Sequence, residues 1–449
     1  MNAVLKATDW YQQLLQSSAD RASSFEQMPL TRQARAEARE TFQRQGFPDR
    51  KQEAWRYSNI QSLLAHTFAP LKPDENAVRK EDVSQNFIAG LDAHRLVFLD
   101  NNFRADLSTL NDLPDGVVVQ SLSQAMQTSA DQMQQWFGRA ADHKQNSFIA
   151  LNTALMSDGL FIHVHNDVSV DKPIEVVYLI SSRDEPVTST PRVLVVLAAG
   201  AKAMLIERFV GTGHSFSSHN LYFNNMVEEI ILHDSASLDH YRLLEEQDHA
   251  YHLSNIDVRQ ETNSHYQAMN LDLSGAWLRS NYTVDFRGAD AACQLHGLYI
   301  VDGKRHSNMH TNILHHAPSC SSAQNFKGLL LGAGRAVFDG RILVDKQAQL
   351  TDAHLSNSNL MLSEEAEVDT KPQLEIYADN VKCSHGTTVG QLEPEQLFYL
   401  RSRGIAEADA YRMLCQGFVS EILESCNIEA VREHADVRIQ QSLSAEKQI

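Results

Sequence analysis

No C-x-x-C pair occurs in the 449 residues, and the five cysteines, Cys293, Cys320, Cys383, Cys415 and Cys426, are an odd number at irregular spacing. That pattern argues against a disulfide framework and suits a reducing compartment, the cytoplasm. It also excludes a zinc ribbon or a four-cysteine ferredoxin site within this one chain. No apolar run approaches the roughly 20 residues needed to cross a bilayer, so a soluble chain is expected. Positive charge is scarce: 39 Lys and Arg face 57 Asp and Glu, a formal charge of −18. Such a balance opposes phosphate backbones and anionic lipid, so neither nucleic acid nor a membrane is an expected partner. The opening MNAVLKATDWYQQLLQ lacks an apolar h-region and a small-residue cleavage site, which speaks against a signal or transit peptide.

The motifs of common enzymes are missing too. There is no G-x-x-x-x-G-K-[ST], and GTGHSFSS at 211–218 lacks the lysine, so ATP hydrolysis belongs to a partner if it is involved at all. GLLLGAGRAVFDG carries a G-x-G after an apolar run. It has no third glycine, however, and leads into the strand-like GRILV where a dinucleotide fold needs a helix, so it reads as a turn. No G-x-S-x-G is present. Asp234 and Asp239 lie at strand turns, where carboxylates are usually solvated. A β-helix polysaccharide-active enzyme would need a groove of convergent carboxylates and, in most settings, a signal peptide.

What is present divides into three regions. Residues 1–145 read as a helical to α/β domain: Trp10, Leu14 and Leu15 form an apolar stripe, Gly46 and Pro48 stop a helix, and RLVFLDNN and VVVQSL are short strand candidates. Residues 146–392 read as a long β domain of successive runs such as IEVVYLI, RVLVVLA, AMLIERFV and QLHGLYIV. A sandwich and a solenoid both fit, but the strand count is high for one sandwich, and the turns share an Ala beside polar residues, as stacked coils require. Residues 393–449 read as a C-terminal helical domain, with Pro394 near a helix start, Gly404 as a stop, and Ala410, Met413, Leu414, Phe418 and Ile422 at helical spacing. The final VRIQQSLSAEKQI is polar and expected to fray.

The most suggestive constellation is DNVKCSHGTTVG. In extended chain Cys383 and His385 face the same side, so a thiolate and an imidazole can converge on one ion. The competing reading is a packed small residue beside a hydrogen-bonding ring. Two donors do not complete a four-coordinate site, so a working site must be shared with another chain. Gly386 permits close approach of a second backbone. The pairs His163 and His165, His306 and His310, and His315 and His316 invite a metal reading. HSNMH lacks the glutamate of H-E-x-x-H, though, and His163 with His165 reads as a surface ladder.

Residues 326–405, from FKGLLLGAGRAVFDGRILVDK through EIYADNVKCSHGTTVG to YLRSRGI, resemble the core of the SufB/SufD family, and KQEAWRYSN at 51–59 resembles its N-terminal element. With Cys383-Ser384-His385-Gly386 and without the extra cysteines expected of SufB, the chain is similar to the branch that pairs with SufB; a SufB-type subunit is the alternative. The resemblance implies a right-handed parallel β-helix flanked by helical regions and a scaffold role without enzymatic activity in iron–sulfur cluster assembly. It implies a heterodimer with SufB through the β-helix and a SufC ATPase on the C-terminal helices near Arg401, Arg403, Gly404, Ala410 and Phe418; an exposed SufB-binding edge is expected to leave the isolated chain prone to pairing with itself as a homodimer. Ala410 and Phe418 can equally be packing residues. His385, with Cys383 second, is implied as a ligand for iron or a transient Fe–S cluster shared with SufB; no cofactor is implied to stay bound to the isolated chain, and no flavin motif is visible. Trp55, Arg56 and Tyr57 read as structural, an arginine stacked between aromatics.

Overall fold

The computed structural model describes residues 28–72, 80–110, 112–181, 185–211 and 221–445, together with Trp10, Gln12 and Leu14. Two long sheets of parallel strands alternate along the chain, so that each strand of one sheet is followed by a strand of the other. Each strand then pairs with the next but one: Trp277 stands beside His306, and His306 beside Arg335. This is a β-solenoid of about seven turns with helices at both ends of the chain. The inward side chains of both sheets form one continuous core, from Leu96 and Leu160 near its start to Ala353 and Leu355 near its end.

The corners explain why these residues coil. Where the chain passes from the first sheet to the second, one residue per turn takes a left-handed conformation: Gly200, Ser235, Asn263, Asp290, Ser319 and Leu350, with φ between 56° and 69°. The residue after each is small and buried: Ala201, Ala236, Ser264, Ala291, Cys320 and Thr351. A larger side chain would strike the corner of the neighbouring coil, and this stacked column is what the recurrent Ala of the turns signals. Gly332 and Gly334 lie in a turn between the strands Ser321–Leu330 and Arg335–Val344, as the incomplete glycine motif predicts.

The N-terminal region is not separate from this core. The strand His94–Leu99 pairs with Ile174–Ile180, and Val117–Ser121 pairs antiparallel with Gly159–Val164, so residues 94–121 close that end of both sheets. Helix Pro29–Gln45, which Gly46 ends, and the helix Ser147–Leu155 pack together over the outer face of the first sheet, where Trp10, Phe42, Trp55, Phe68 and Phe148 meet Phe223, Tyr251 and Trp277. Trp55 is structural, as expected, but the arginine on its ring is Arg279 from the solenoid, 3.8 Å from the centroid. Arg56 lies over Tyr57 at 5.6 Å instead.

The last two helices, Glu407–Glu424 and Glu429–Ala445, cover the outer face of the second sheet through Cys415, Val419, Ile422, Val431, Ala435, Ile439 and Leu443. The buried face of the first of these keeps Ala410 and Ile422 from the sequence-based stripe but is rotated to take Cys415 and Val419, leaving Met413 48% exposed. The polar tail does not fray before Ala445: Val431, Ala435, Ile439 and Leu443 recur every fourth residue and dock as a one-residue-wide seam. These covers stop short of the final coil, and the strands Glu367–Ile376 and Lys382–Gly390 are largely accessible.

Candidate functional site: the open edge strand

Lys382–Gly390 is the last strand of the second sheet. It pairs with Asp352–Met361 on one side and with no strand on the other among the described residues. Register decides which way its side chains face. Cys383 stands beside Ala353 and His385 beside Leu355, both core residues, so the two candidate ligands share the inward face at the mouth of the solenoid. Ser384 takes the outer face, where its hydroxyl meets His354 Nδ1 at 2.6 Å. Cys383 packs on the rim of the core with Leu374 and Val381, while His385 is exposed.

Burial raises the Cys383 thiol above its usual range, and the nearby Asp352 carboxylate adds to the effect. The residue is therefore a protonated thiol at neutral pH. Ligation requires loss of that proton, which an arriving metal or a partner's cation has to draw off. No third His, Cys, Asp or Glu donor converges on the pair among the described residues. The pair stands on an edge whose outward N–H and C=O groups have no strand partner among the described residues, the kind of edge that can pair with another chain. A side chain built on Gly386 would meet nothing within 4 Å, so this stretch is open to an incoming backbone. Ile376, Tyr377 and Val389 of the same final coil are exposed.

The second candidate surface lies on the helix Pro394–Ser402, which buries none of its residues. Phe398 is 73% exposed and Tyr399 is exposed beside it, with Arg403 over the Tyr399 ring at 5.3 Å. Arg401 faces Glu407 at 3.5 Å. Gly404, at φ +86°, ends the helix in a conformation that favours glycine. Ala410 is fully buried, and Phe418 is half-buried under the Lys327 ammonium, 4.9 Å from its ring, so both pack within the chain. Phe398 and Tyr399 were missed as surface candidates. Their signal is the run LFYL, four consecutive apolar residues that one helix face cannot bury together.

The histidines of the other candidate pairs pack or hydrogen-bond with other side chains, and none of them joins a cluster of three metal-type donors, which among the described residues only His240 does. His163 is not on the surface: it is buried under Trp136, with ring centroids 4.7 Å apart, and its ring meets that of His165 at a 50° tilt. His306 stacks on Trp277, His310 lies 3.8 Å from Asp339, His315 bonds Ser322 at 2.9 Å, and His316 bonds Asp345 at 2.6 Å. Asp234 accepts from the Thr262 amide and Asp239 from Asn427, so both carboxylates of the solenoid turns are structural. Most of GTGHSFSS lies outside the described residues.

Fold and edge together define an open-ended β-solenoid whose last strand is unpaired among the described residues and carries a thiol and an imidazole on one face. The family model described as "SUF system FeS cluster assembly, SufBD core domain" matches residues 178–418, and "SufBD protein N-terminal region" matches residues 5–176. The chain belongs to the SufBD family of the SUF iron–sulfur cluster assembly system. It is 31% identical over 403 residues to the iron–sulfur cluster assembly protein SufD of Escherichia coli strain K12, covering 89% of this chain and 90% of that protein. A SufBD family protein of Synechocystis is 31% identical over 391 residues, 86% and 85% of the two chains. The chloroplastic protein ABCI7 of Arabidopsis thaliana is 29% identical over 422 residues, 92% and 86% of the two. The two family matches meet at 177, inside the strand Ile174–Ile180, so the joint between them is not a physical boundary.

Proposed function

We propose that this chain is the SufD-type, non-ATPase subunit of a cytoplasmic scaffold that also contains SufB and SufC, and that its edge strand Lys382–Gly390 pairs with the matching edge of SufB. The observation that carries the reading is the placement of Cys383 and His385, side by side on the inward face of an unpaired strand, with no further donor from their own chain. SufB supplies the missing ligands, and an Fe–S cluster or its iron is held transiently between the two. The uncovered helix around Phe398, Tyr399, Arg401 and Arg403 receives SufC, whose ATP-driven movement reaches the edge through a stiff solenoid. In the absence of SufB the same edge pairs with a second copy of this chain.

The test is anaerobic co-expression with SufB and SufC, comparing wild type with His385→Ala. The expected result is a complex of unchanged mass that lacks the visible absorbance of a cluster in the variant. Equal colour in both removes His385 from the site, and failure of the wild type to associate overturns the assignment as a whole.

A further inference from the structure

Inside the solenoid, far along the chain from the edge strand, three ligand-type side chains occupy inward positions that their neighbours fill with hydrocarbon. Glu228 lies between Met226 and Ile230 on the first sheet. Glu207 lies between Leu205 and Phe209, and His240 follows Leu238, on adjacent strands of the second sheet. All three are completely buried, and a donor atom from each falls within 4.8 Å of the others. His240 Nε2 is 3.2 Å from Glu207 Oε2 and 3.6 Å from Glu228 Oε1. Ligands bonded at about 2.1 Å to one ion lie about 3.0 Å apart in an octahedron and about 3.4 Å apart in a tetrahedron, so these separations suit a single ion.

Two further features point to an occupant. Both Glu228 oxygens are buried and accept no hydrogen bond from the protein; their nearest charged neighbours, His240 at 3.6 Å and Arg242 at 3.9 Å, stand beyond hydrogen-bond distance. A buried carboxylate without hydrogen bonds is costly, and a strand of a rigid sheet cannot turn it outward. The other two groups, by contrast, are held from outside the cluster. Tyr178 donates to Glu207 Oε1 at 3.0 Å and Arg242 to Glu207 Oε2 at 3.1 Å. Tyr266 meets His240 Nδ1 at 3.0 Å, which turns Nε2 toward the carboxylates. Outer partners of this kind orient ligands around a metal. The hydrogen-bonded network around Arg242 also contains Asp272, joined through Asn270, so three buried carboxylates stand against one guanidinium.

We infer that Glu207, Glu228 and His240 bind one divalent transition-metal ion inside the solenoid, independent of the edge-strand site. Two carboxylates and one imidazole suit Zn²⁺, Fe²⁺ or Mn²⁺, and a doubly charged ion balances the excess of negative charge. Because the site is sealed on all sides, the ion enters as the chain folds and stabilises the folded state.

A proton shared by Glu228 and Glu207 is the competing occupant, and Glu228→Gln separates the two, since an amide imitates a protonated acid but is a poor metal ligand. The full-length chain is purified without chelator and its metal content measured; it is then unfolded with chelator and refolded with and without Co²⁺. The expected result is about one equivalent of metal in the wild type, a cobalt ligand-field spectrum and a raised melting temperature after refolding with Co²⁺, and loss of all three in Glu228→Gln. Wild type that carries no metal and melts at the same temperature with or without Co²⁺ overturns the site, whether or not the variant folds. Metal that remains bound at full stoichiometry in Glu228→Gln overturns it equally, by placing the ion elsewhere.

Discussion

Single residues in this protein act through the sheet positions that hold them. Glu245 sits near the end of the strand Ser237–Glu245 and faces the terminal helix, where His434 Nε2 is 2.8 Å and Arg438 Nε 3.0 Å away, with Arg208 on its other side. Burial by itself would raise this carboxyl, but the charges of Arg208, His434 and Arg438 outweigh it and hold the group at about 2, against an ordinary value of 4.5. A carboxyl depressed on folding contributes stability that is complete above its unfolded pKa and fades as pH falls toward the folded one. The contribution here is roughly 3 kcal/mol, lost between about pH 4.5 and pH 2. Chemical unfolding followed across that interval is expected to show the loss in wild type, and a flatter pH profile in Glu245→Gln. The shift runs the other way at Cys383, where burial raises the thiol and keeps it protonated.

At the scale of elements, the corners and the terminal helix show where a sequence speaks plainly and where it does not. The small residues of the turns were legible because every coil repeats the same steric demand at the same place. The strands HSNMHTNILH and DAHLSNSNLM were not, because asparagines and histidines fill buried positions there: Asn308, His315, Asn357 and Asn359 are all buried. Hydropathy reads such a strand as a loop. The seam of the terminal helix was hidden for a related reason, as one apolar residue in four leaves the segment polar on average. One corner carries strain: Leu350 holds φ +64° with its side chain 59% exposed, where other corners use Gly, Asn, Asp or Ser. A left-handed conformation costs a branched residue about 1 kcal/mol more than it costs asparagine. Leu350→Asn should stabilise the isolated chain by about that amount in denaturant unfolding, and an unchanged midpoint would show the corner to be relaxed.

For the whole molecule, the sequence's apolar runs and turns were enough to favour a solenoid. They could not show that residues 94–121 close one end of it, because those strands pair with partners about 80 or 45 residues away, as Arg95 with Glu175 and Val118 with His163. The candidate site was legible in part. The i and i+2 spacing of Cys383 and His385 announced a shared face, but only the register against Ala353 and Leu355 tells which face. The interior cluster was invisible, because Glu207, Glu228 and His240 come from three strands that meet only when both sheets are built.

The two ends of the solenoid differ: one is closed by antiparallel strands, and the other leaves an unpaired strand carrying Cys383 and His385, the edge proposed to receive SufB. Amide hydrogen exchange along residues 382–390, measured for this chain alone at low concentration and then with SufB, tests that claim most directly. The account predicts fast exchange at the outward amides of this strand in the free chain and strong protection when SufB is bound. Exchange at 382–390 that is unchanged in a complex shown to have formed would contradict it, and would move the interface away from Cys383 and His385.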